Sequence, residues 1–321
     1  MKKEVGSFIE LEFQKGKEYY NGKDNVARLN SGRTGIFHAI RLYGCKKVYL
    51  PIYQCETVRT FLERKGISIQ YYKMDSEFKP LLDTVEDDAC VVIVNYFGIM
   101  SQGRMQQLAE RFQKVIIDNS QAFFAGRIDG VYQVYSPRKF VGVPDGGYVI
   151  GDGAERYVND YAQGFSSDTS LFLLQRIEYG CEGKTYENRS TNEERIDTED
   201  IMQMSKLTHT ILDSYDYETV KKKRRDNFEM ASKLFDDVNL LNVHQYYDES
   251  CIPMVYPLVI EDDMLLNRLL EAKHFQGRWW NYILKETKEE DFEHWLSKYM
   301  IPITIDQRYG VEDLEYIRGL L

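Results

Sequence analysis

Long apolar runs are missing from this chain of 321 residues: no stretch of about 18 apolar residues occurs anywhere, and the start, Met1-Lys2-Lys3-Glu4, turns acidic before any apolar core develops. Positive charge is also short. With 41 Lys and Arg against 51 Asp and Glu, the net charge of -10 argues against a nucleic-acid or anionic-membrane partner, since either needs a cationic surface. The one basic run, Lys221 to Arg225, lies beside Asp216, Glu218 and Glu229 in a helical pattern and reads as a solvated face. Histidine and cysteine number five each. Cys45, Cys55, Cys90, Cys181 and Cys251 are odd in count and lack C-x-x-C spacing, which fits reduced thiols and not a disulfide framework. No H-E-x-x-H or other ligand cluster points to a metal. Internal repeats and low-complexity segments are lacking too. The expectation is an untargeted cytoplasmic protein without a metal site.

What is present is alternation. From about Asn30 to Ile150, short apolar strands (Lys47 to Pro51, Ile67 to Tyr72, Cys90 to Tyr96, Val115 to Asp118, Val131 to Tyr135, Gly147 to Ile150) alternate with helical patterns at Thr34 to Leu42, Glu56 to Lys65 and Gln102 to Gln113. This predicts an α/β layer with a mainly parallel sheet, whose ligand belongs at the carboxyl ends of the strands. Residues 154–192 read as polar, aromatic and irregular, and 198–235 as one or two long helices. The remainder, with strands at Met254 to Val259 and Met300 to Thr304 around a helix at Leu265 to Ala272, reads as a smaller α/β unit. The expected division is 1–205, a large domain with an N-terminal arm, and 206–321, a small C-terminal domain.

Three segments carry chemistry. In Tyr135-Ser136-Pro137-Arg138-Lys139-Phe140, followed by Gly146-Gly147, a lysine lies between two apolar runs. A buried lysine there must be neutralised, paired or used covalently, for instance as the Schiff-base anchor of an aldehyde cofactor; the alternative is a solvated surface amine. Asn30-Ser31-Gly32-Arg33-Thr34-Gly35 precedes a helix, where free amides, small residues and hydroxyls make an anion site or an ordinary N-cap. Val115-Ile116-Ile117-Asp118-Asn119-Ser120-Gln121 puts an aspartate at the end of a strongly apolar strand, where it meets a ligand or caps a turn. Opposite a pyridine nitrogen, that carboxylate would keep the nitrogen protonated. Ser136-x-x-Lys139 also matches the serine acyl-transfer pattern, but the accompanying Ser-Asp-Asn and Lys-Thr-Gly do not occur. Gly183-Lys184-Thr185 resembles the tail of a P-loop, with Glu178 where the leading glycine belongs.

Together these motifs resemble the fold-type-I pyridoxal-phosphate enzymes, and within them the DegT/DnrJ/EryC1/StrS sugar aminotransferases. Met204-Ser205, Arg224-Arg225-Asp226-Asn227, Tyr256-Pro257-Leu258 and Asp306-Gln307-Arg308 look like that family's later landmarks, so the resemblance spans nearly the whole chain. It implies pyridoxal 5'-phosphate as cofactor. Lys139 would be its Schiff-base lysine and proton carrier, Asp118 the partner of the ring nitrogen, and Gln121 the neighbour of the phenolic oxygen. The backbone of Gly32 and Arg33 and the hydroxyl of Ser136 would hold the phosphate. It further implies glutamate or glutamine as amino donor, a keto-sugar nucleotide as acceptor, and a homodimer with sites at the subunit interface.

Three positions depart from the family pattern. The aromatic residue expected to stack on the cofactor ring is Cys55, leaving Tyr53 or Tyr96 as substitutes; a usual histidine is Asn95; and the Gly-Tyr-Asn-Tyr-Arg-like segment sent into the neighbouring subunit is echoed only by Tyr186-Glu187-Asn188-Arg189. Rival readings are therefore a dehydratase or other cofactor chemistry, and a binding protein without turnover. Lys139 counts against the family's sugar dehydratases, in which that lysine is replaced by histidine. Arg278-Trp279-Trp280 and Arg308 suit a carboxylate and a sugar face, or else a core tryptophan pair and a structural ion pair.

Overall fold

The structure, a computed structural model, describes residues 6–275 and 277–321. Seven strands form its main sheet: β1 (Val26–Leu29), β2 (Lys47–Pro51), β3 (Ser68–Tyr72), β4 (Ala89–Val94), β5 (Val115–Asn119), β6 (Tyr132–Tyr135) and β7 (Gly147–Ile150). Their order is β1-β7-β6-β5-β4-β2-β3; β7 runs antiparallel to both neighbours and all other pairs are parallel. β4 and β5 are buried at every position, which explains their unbroken Val and Ile runs: a central parallel strand has no wet face to alternate with. Helices α1 (Gly32–Tyr43), α2 (Glu56–Arg64) and α3 (Gln102–Ala109) are the parallel crossovers.

The start of α1 is set locally. Ser31 accepts from the Thr34 amide while the Thr34 hydroxyl accepts from the Ser31 amide, a reciprocal cap, and Gly44 ends the helix at φ 69°. Gly35 lets the helix lie close on the sheet, since a Cβ there would come within 2.8 Å of Val134 and 3.2 Å of Val149.

Beyond β7 the chain departs from its expected irregularity. Residues 154–192 include α4 (Leu171–Tyr179) and most of α5 (Lys184–Thr198). No residue of α4 is buried, so its apolar residues do not mark an inner face as those of the core helices do. The region read as one or two long helices is two, α6 (Lys206–Asp213) and α7 (Tyr217–Phe235). A second, two-stranded antiparallel sheet pairs β8 (Val255–Val259) with β9 (Met300–Thr304), accompanied by α8 (Leu265–Glu271), α9 (Phe292–Tyr299) and α10 (Val311–Arg318). Two smaller differences concern the first sheet: β1 was not anticipated, and the expected strand end Asn95-Tyr96 is a tight turn in which Phe97 has φ 60°. Among the described residues no helix is long and apolar enough to cross a membrane.

Candidate functional site

The sheet register gathers the sequence motifs. β5 and β6 pair Asp118 with Val134 and Asn119 with Tyr135, so Ser120 and Ser136 leave the sheet side by side at the carboxyl ends of their strands. Gly32, at the start of α1, meets both: a Cβ on it would lie 2.9 Å from Ser120 Oγ and 3.7 Å from Ser136 Cβ. On the other side, Gly147 admits the Ser31 carbonyl where a side chain would collide with it, and the Gly146 amide donates to Asn30 O at 2.8 Å. Among the described residues, neither serine hydroxyl has a protein hydrogen-bond partner, and the Gly32 and Arg33 amides, in the first turn of α1, find no protein acceptor. Small backbone, two hydroxyls and a helix N-terminus thus converge on one spot suited to an anion. Ser120 is the member that the sequence reading did not assign a role.

Asp118 lies 5% exposed at the end of β5. Its Oδ1 accepts from the Ser120 amide at 2.9 Å and its Oδ2 from Gln54 Nε2 at 3.1 Å, which fixes the carboxylate plane. Gln121, also buried, accepts from the Phe97 amide through Oε1 at 2.7 Å. Its NH2 end is therefore the one left to donate. Asn95, in the place of the family's histidine, donates to Asn119 Oδ1 at 3.1 Å, so it serves the strand ends as a structural amide.

Lys139 departs from expectation. It closes the single helical turn Pro137–Lys139 and is exposed in the single chain, whereas Phe140 and Val141 beside it are buried. Among the described residues its amine has no hydrogen-bond or ion-pair partner. The turn swings Lys139 off the apolar run that suggested burial. The loop itself is firmly held: the Phe140 carbonyl accepts from Gln307 Nε2 at 2.9 Å and from Arg224 Nη2 at 3.4 Å, and the Arg224 guanidinium stacks 4.5 Å from the Phe140 ring. Burial pulls the Arg224 guanidinium down to about 10, with the Asp306 charge working the other way. Two landmarks of the later sequence, Arg224 and Gln307, thereby tie the Lys139 loop to the second sheet's layer.

Two arginines at this rim are already paired. Arg33 forms an ion pair with Asp197 and Arg138 with Glu193, both acids on α5. Burial works against charge on Glu193, but Arg138, with Arg189 and Arg33 behind it, holds the carboxyl below its ordinary range. The Arg33 side chain is therefore engaged on α5, and only its backbone belongs to the anion cradle.

The ring-stacking candidates are differently placed. Cys55 starts α2, with Sγ 3.1 Å from the Thr57 hydroxyl, and nothing in its contacts marks a stacking role. Tyr53 and Tyr96 are fully buried; Tyr96 donates to the Tyr53 carbonyl at 2.7 Å, and Tyr53 packs edge-on against Trp280 at 4.6 Å. Trp279 stacks on Phe97 at 5.7 Å, Arg278 donates to the Asp262 carbonyl, and Arg308 grips Asp306 through two hydrogen bonds of 2.9 and 2.7 Å. These four residues serve packing and ion pairing, and the structure does not bring them into the cradle.

Beside the site, α4 presents an apolar surface: Ile177 is 83% exposed and Tyr179 73%, with Leu171, Leu174 and nearby Phe165 also exposed. A Cβ on Gly142, three residues after Lys139, would touch Leu173 of α4 at 3.8 Å, so this surface continues from the lysine loop.

No family model matches this sequence, and no curated protein matches it significantly. Solved structures do match in fold. The chain superposes on the sugar aminotransferase CalS13 from Micromonospora echinospora (TM-score 0.62, 14% identity, 92% of this chain and 86% of that one). It superposes similarly on a DegT DnrJ EryC1 StrS aminotransferase from Brucella abortus (0.59, 13%, 92% and 84%). A third match is the E. coli GDP-4-keto-6-deoxy-D-mannose-3-dehydratase with bound hydrated PLP (0.63, 15%, 92% and 87%). The chain has the fold of these enzymes, the fold-type-I architecture expected from its motifs.

Proposed function

We propose that this protein is a pyridoxal-phosphate-dependent aminotransferase that moves an amino group from glutamate or glutamine to a keto-sugar, nucleotide-linked, in amino-sugar or polysaccharide biosynthesis. The observation that carries this reading is the cradle of Gly32, Ser120 and Ser136 at the strand ends that also present Asp118 and deliver Lys139. Its features fit the cofactor: a Cβ on Gly32 would crowd the cradle, coming within 2.9 Å of Ser120 Oγ, both hydroxyls are free to donate, and Gln121 keeps an NH2 for a phenolic oxygen. When bound, the cofactor supplies an aldehyde that exchanges with amines and a ring that withdraws electrons from the adjoining carbon. The protein's part is positional and acid-base. The amides of Gly32 and Arg33 and the hydroxyls of Ser120 and Ser136 would hold the phosphate; Asp118 would pair with the ring nitrogen; Lys139 Nζ would anchor the cofactor and, when free, would move the proton from the donor's α-carbon to the carbon that bore the aldehyde. The fold shared with sugar aminotransferases supports the substrate class.

A second reading, dehydration of a keto-sugar, draws support from the equally extensive likeness to a GDP-sugar 3-dehydratase. Lys139 favours amino transfer, because a proton carrier that can also re-form the link to the cofactor closes the transamination cycle. The half-reactions separate the two. The protein loaded with pyridoxal phosphate is expected to lose its visible band on adding glutamate or glutamine and to regain it on adding a nucleotide-linked keto-sugar. A band unmoved by any donor would sink the aminotransferase reading.

The exposed Lys139 and the apolar α4 surface that continues from its loop need a cover. A second copy of this chain seated on the α4 surface supplies it, and we read the working form as a homodimer. Sedimentation is expected to give a dimer for the parent. The double variant Leu174→Glu, Ile177→Glu is expected to run as a monomer and to hold the cofactor at least about tenfold more weakly. A monomeric parent that turns over at full rate would refute the dimer.

A further inference from the structure

The carboxylate that faces the ring nitrogen has a companion. Gln54, on the loop after β2, is 5% exposed, and its Nε2 donates to Asp118 Oδ2 at 3.1 Å. The backbone of Gln54 is fixed at both ends: its amide donates to Ile52 O at 2.9 Å, and its carbonyl accepts from the hydroxyl of Tyr282, from the second sheet's layer. The other half of the side chain is unmatched, for Gln54 Oε1 is buried and has no hydrogen-bond partner. The amide cannot be turned round to remove this orphan. An ionised carboxylate only accepts, so Nε2 must face Asp118, and the carbonyl oxygen is left beside it in the same planar group. A buried acceptor without a partner costs free energy unless a ligand brings a donor.

The donor that fits both neighbours is a protonated ring nitrogen. It would sit against Asp118 Oδ2, the oxygen that Gln54 already holds, and next to Gln54 Oε1. We propose that Gln54 is a binding residue for the ring-nitrogen end of the cofactor: its Nε2 orients Asp118, and its Oε1 shares the ring N–H. This rests on the pyridoxal-phosphate reading above. Neither a purely structural amide nor a plain support for the Asp118 backbone accounts for the free acceptor.

The test is a double-mutant cycle between Gln54 and the ring nitrogen. Apoprotein is titrated with pyridoxal phosphate and with its 1-deaza analogue, in which a C–H replaces that nitrogen, and dissociation constants are taken from the absorption change. The parent is expected to prefer the natural cofactor, and Gln54→Leu to lose about tenfold of that preference, the size of one hydrogen bond to a charged group. Thermal melting of the apoproteins checks folding. Gln54→Met, which keeps the length and loses both polar atoms, replaces the Leu variant if that one does not fold. A variant that weakens both ligands by the same factor, or neither, overturns the inference while leaving the cofactor assignment intact. A parent that binds no pyridoxal phosphate overturns the assignment and the inference with it.

Discussion

Lys139→Ala is expected to lower turnover at least about 1,000-fold, the scale of losing a positioned acid-base group, and to abolish the covalent fixing of cofactor by borohydride. The two effects have separate physical origins. Only an amine on this turn can link to the aldehyde, and only a group freed beside the donor's α-carbon can move its proton. The cradle of Gly32, Ser120 and Ser136 does not depend on the lysine, so the variant should still bind pyridoxal phosphate, reversibly and more weakly. Lys139→Arg distinguishes charge from chemistry. A guanidinium retains the positive charge but stays protonated and cannot form the link, so Arg should fail as completely as Ala. Spectra before and after reduction, with single-turnover rates on a donor, check both variants. An Ala variant that keeps a tenth of parental turnover would remove Lys139 from the mechanism.

Much of this site was legible because strand burial writes itself into sequence. β4 and β5 are buried at all positions and their Val and Ile runs are unbroken, so the ends of both strands can be placed from the sequence. The placing of Asp118 and Gln121 follows directly from that, and the Gly32-Arg33 turn from the small and hydroxyl residues that precede the helical pattern of α1. β1 was not legible, being four residues long and interrupted by Arg28, which reaches Glu18 and the backbone of Tyr20 and Gly22. The exposure of Lys139 was hidden for a different reason. Its neighbours Phe140 and Val141 are buried, as their apolar character announces, but the turn begun by Pro137 rotates the lysine away from them. The signal was Pro137 itself, two residues upstream, which cannot continue the strand.

Ser120 and Gln54 could not be read at all, although both lie within or beside the motifs. Ser120 gains its place from the register of β5 against β6, a long-range pairing, and Gln54 reaches Asp118 from β2 past the end of β4. Cys55, next to Gln54, was singled out because of what it replaces, yet the polar side chain one position earlier is the one that touches the carboxylate. A pattern compared position by position shows which residue is missing; it does not show which neighbouring side chain reaches the carboxylate.

Asp118→Asn is the second variant with a large expected effect, a fall in turnover of about 100- to 1,000-fold against a loss of cofactor affinity of about tenfold. The wild-type carboxylate accepts from two donors, the Ser120 amide on Oδ1 and Gln54 Nε2 on Oδ2. Asparagine has one acceptor oxygen; with that oxygen kept on the Ser120 amide, its NH2 faces Gln54, whose amide can turn round to accept through Oε1, so the local hydrogen bonds can be kept. The larger consequence is electrical. Without the negative charge, a neutral acceptor such as Gln54 Oε1 holds the proton on a ring nitrogen far less well, and an unprotonated ring would withdraw electrons poorly from the carbon that Lys139 is proposed to deprotonate. The cradle of Gly32, Ser120 and Ser136 is untouched, which is why affinity should suffer much less than rate. An N-methylated analogue of the cofactor, whose ring charge is covalent, should recover part of the lost rate in Asp118→Asn and none in Lys139→Ala. Equal losses in affinity and turnover, with no recovery by the methylated analogue, would make Asp118 a structural cap for Ser120 and leave the ring nitrogen without its partner.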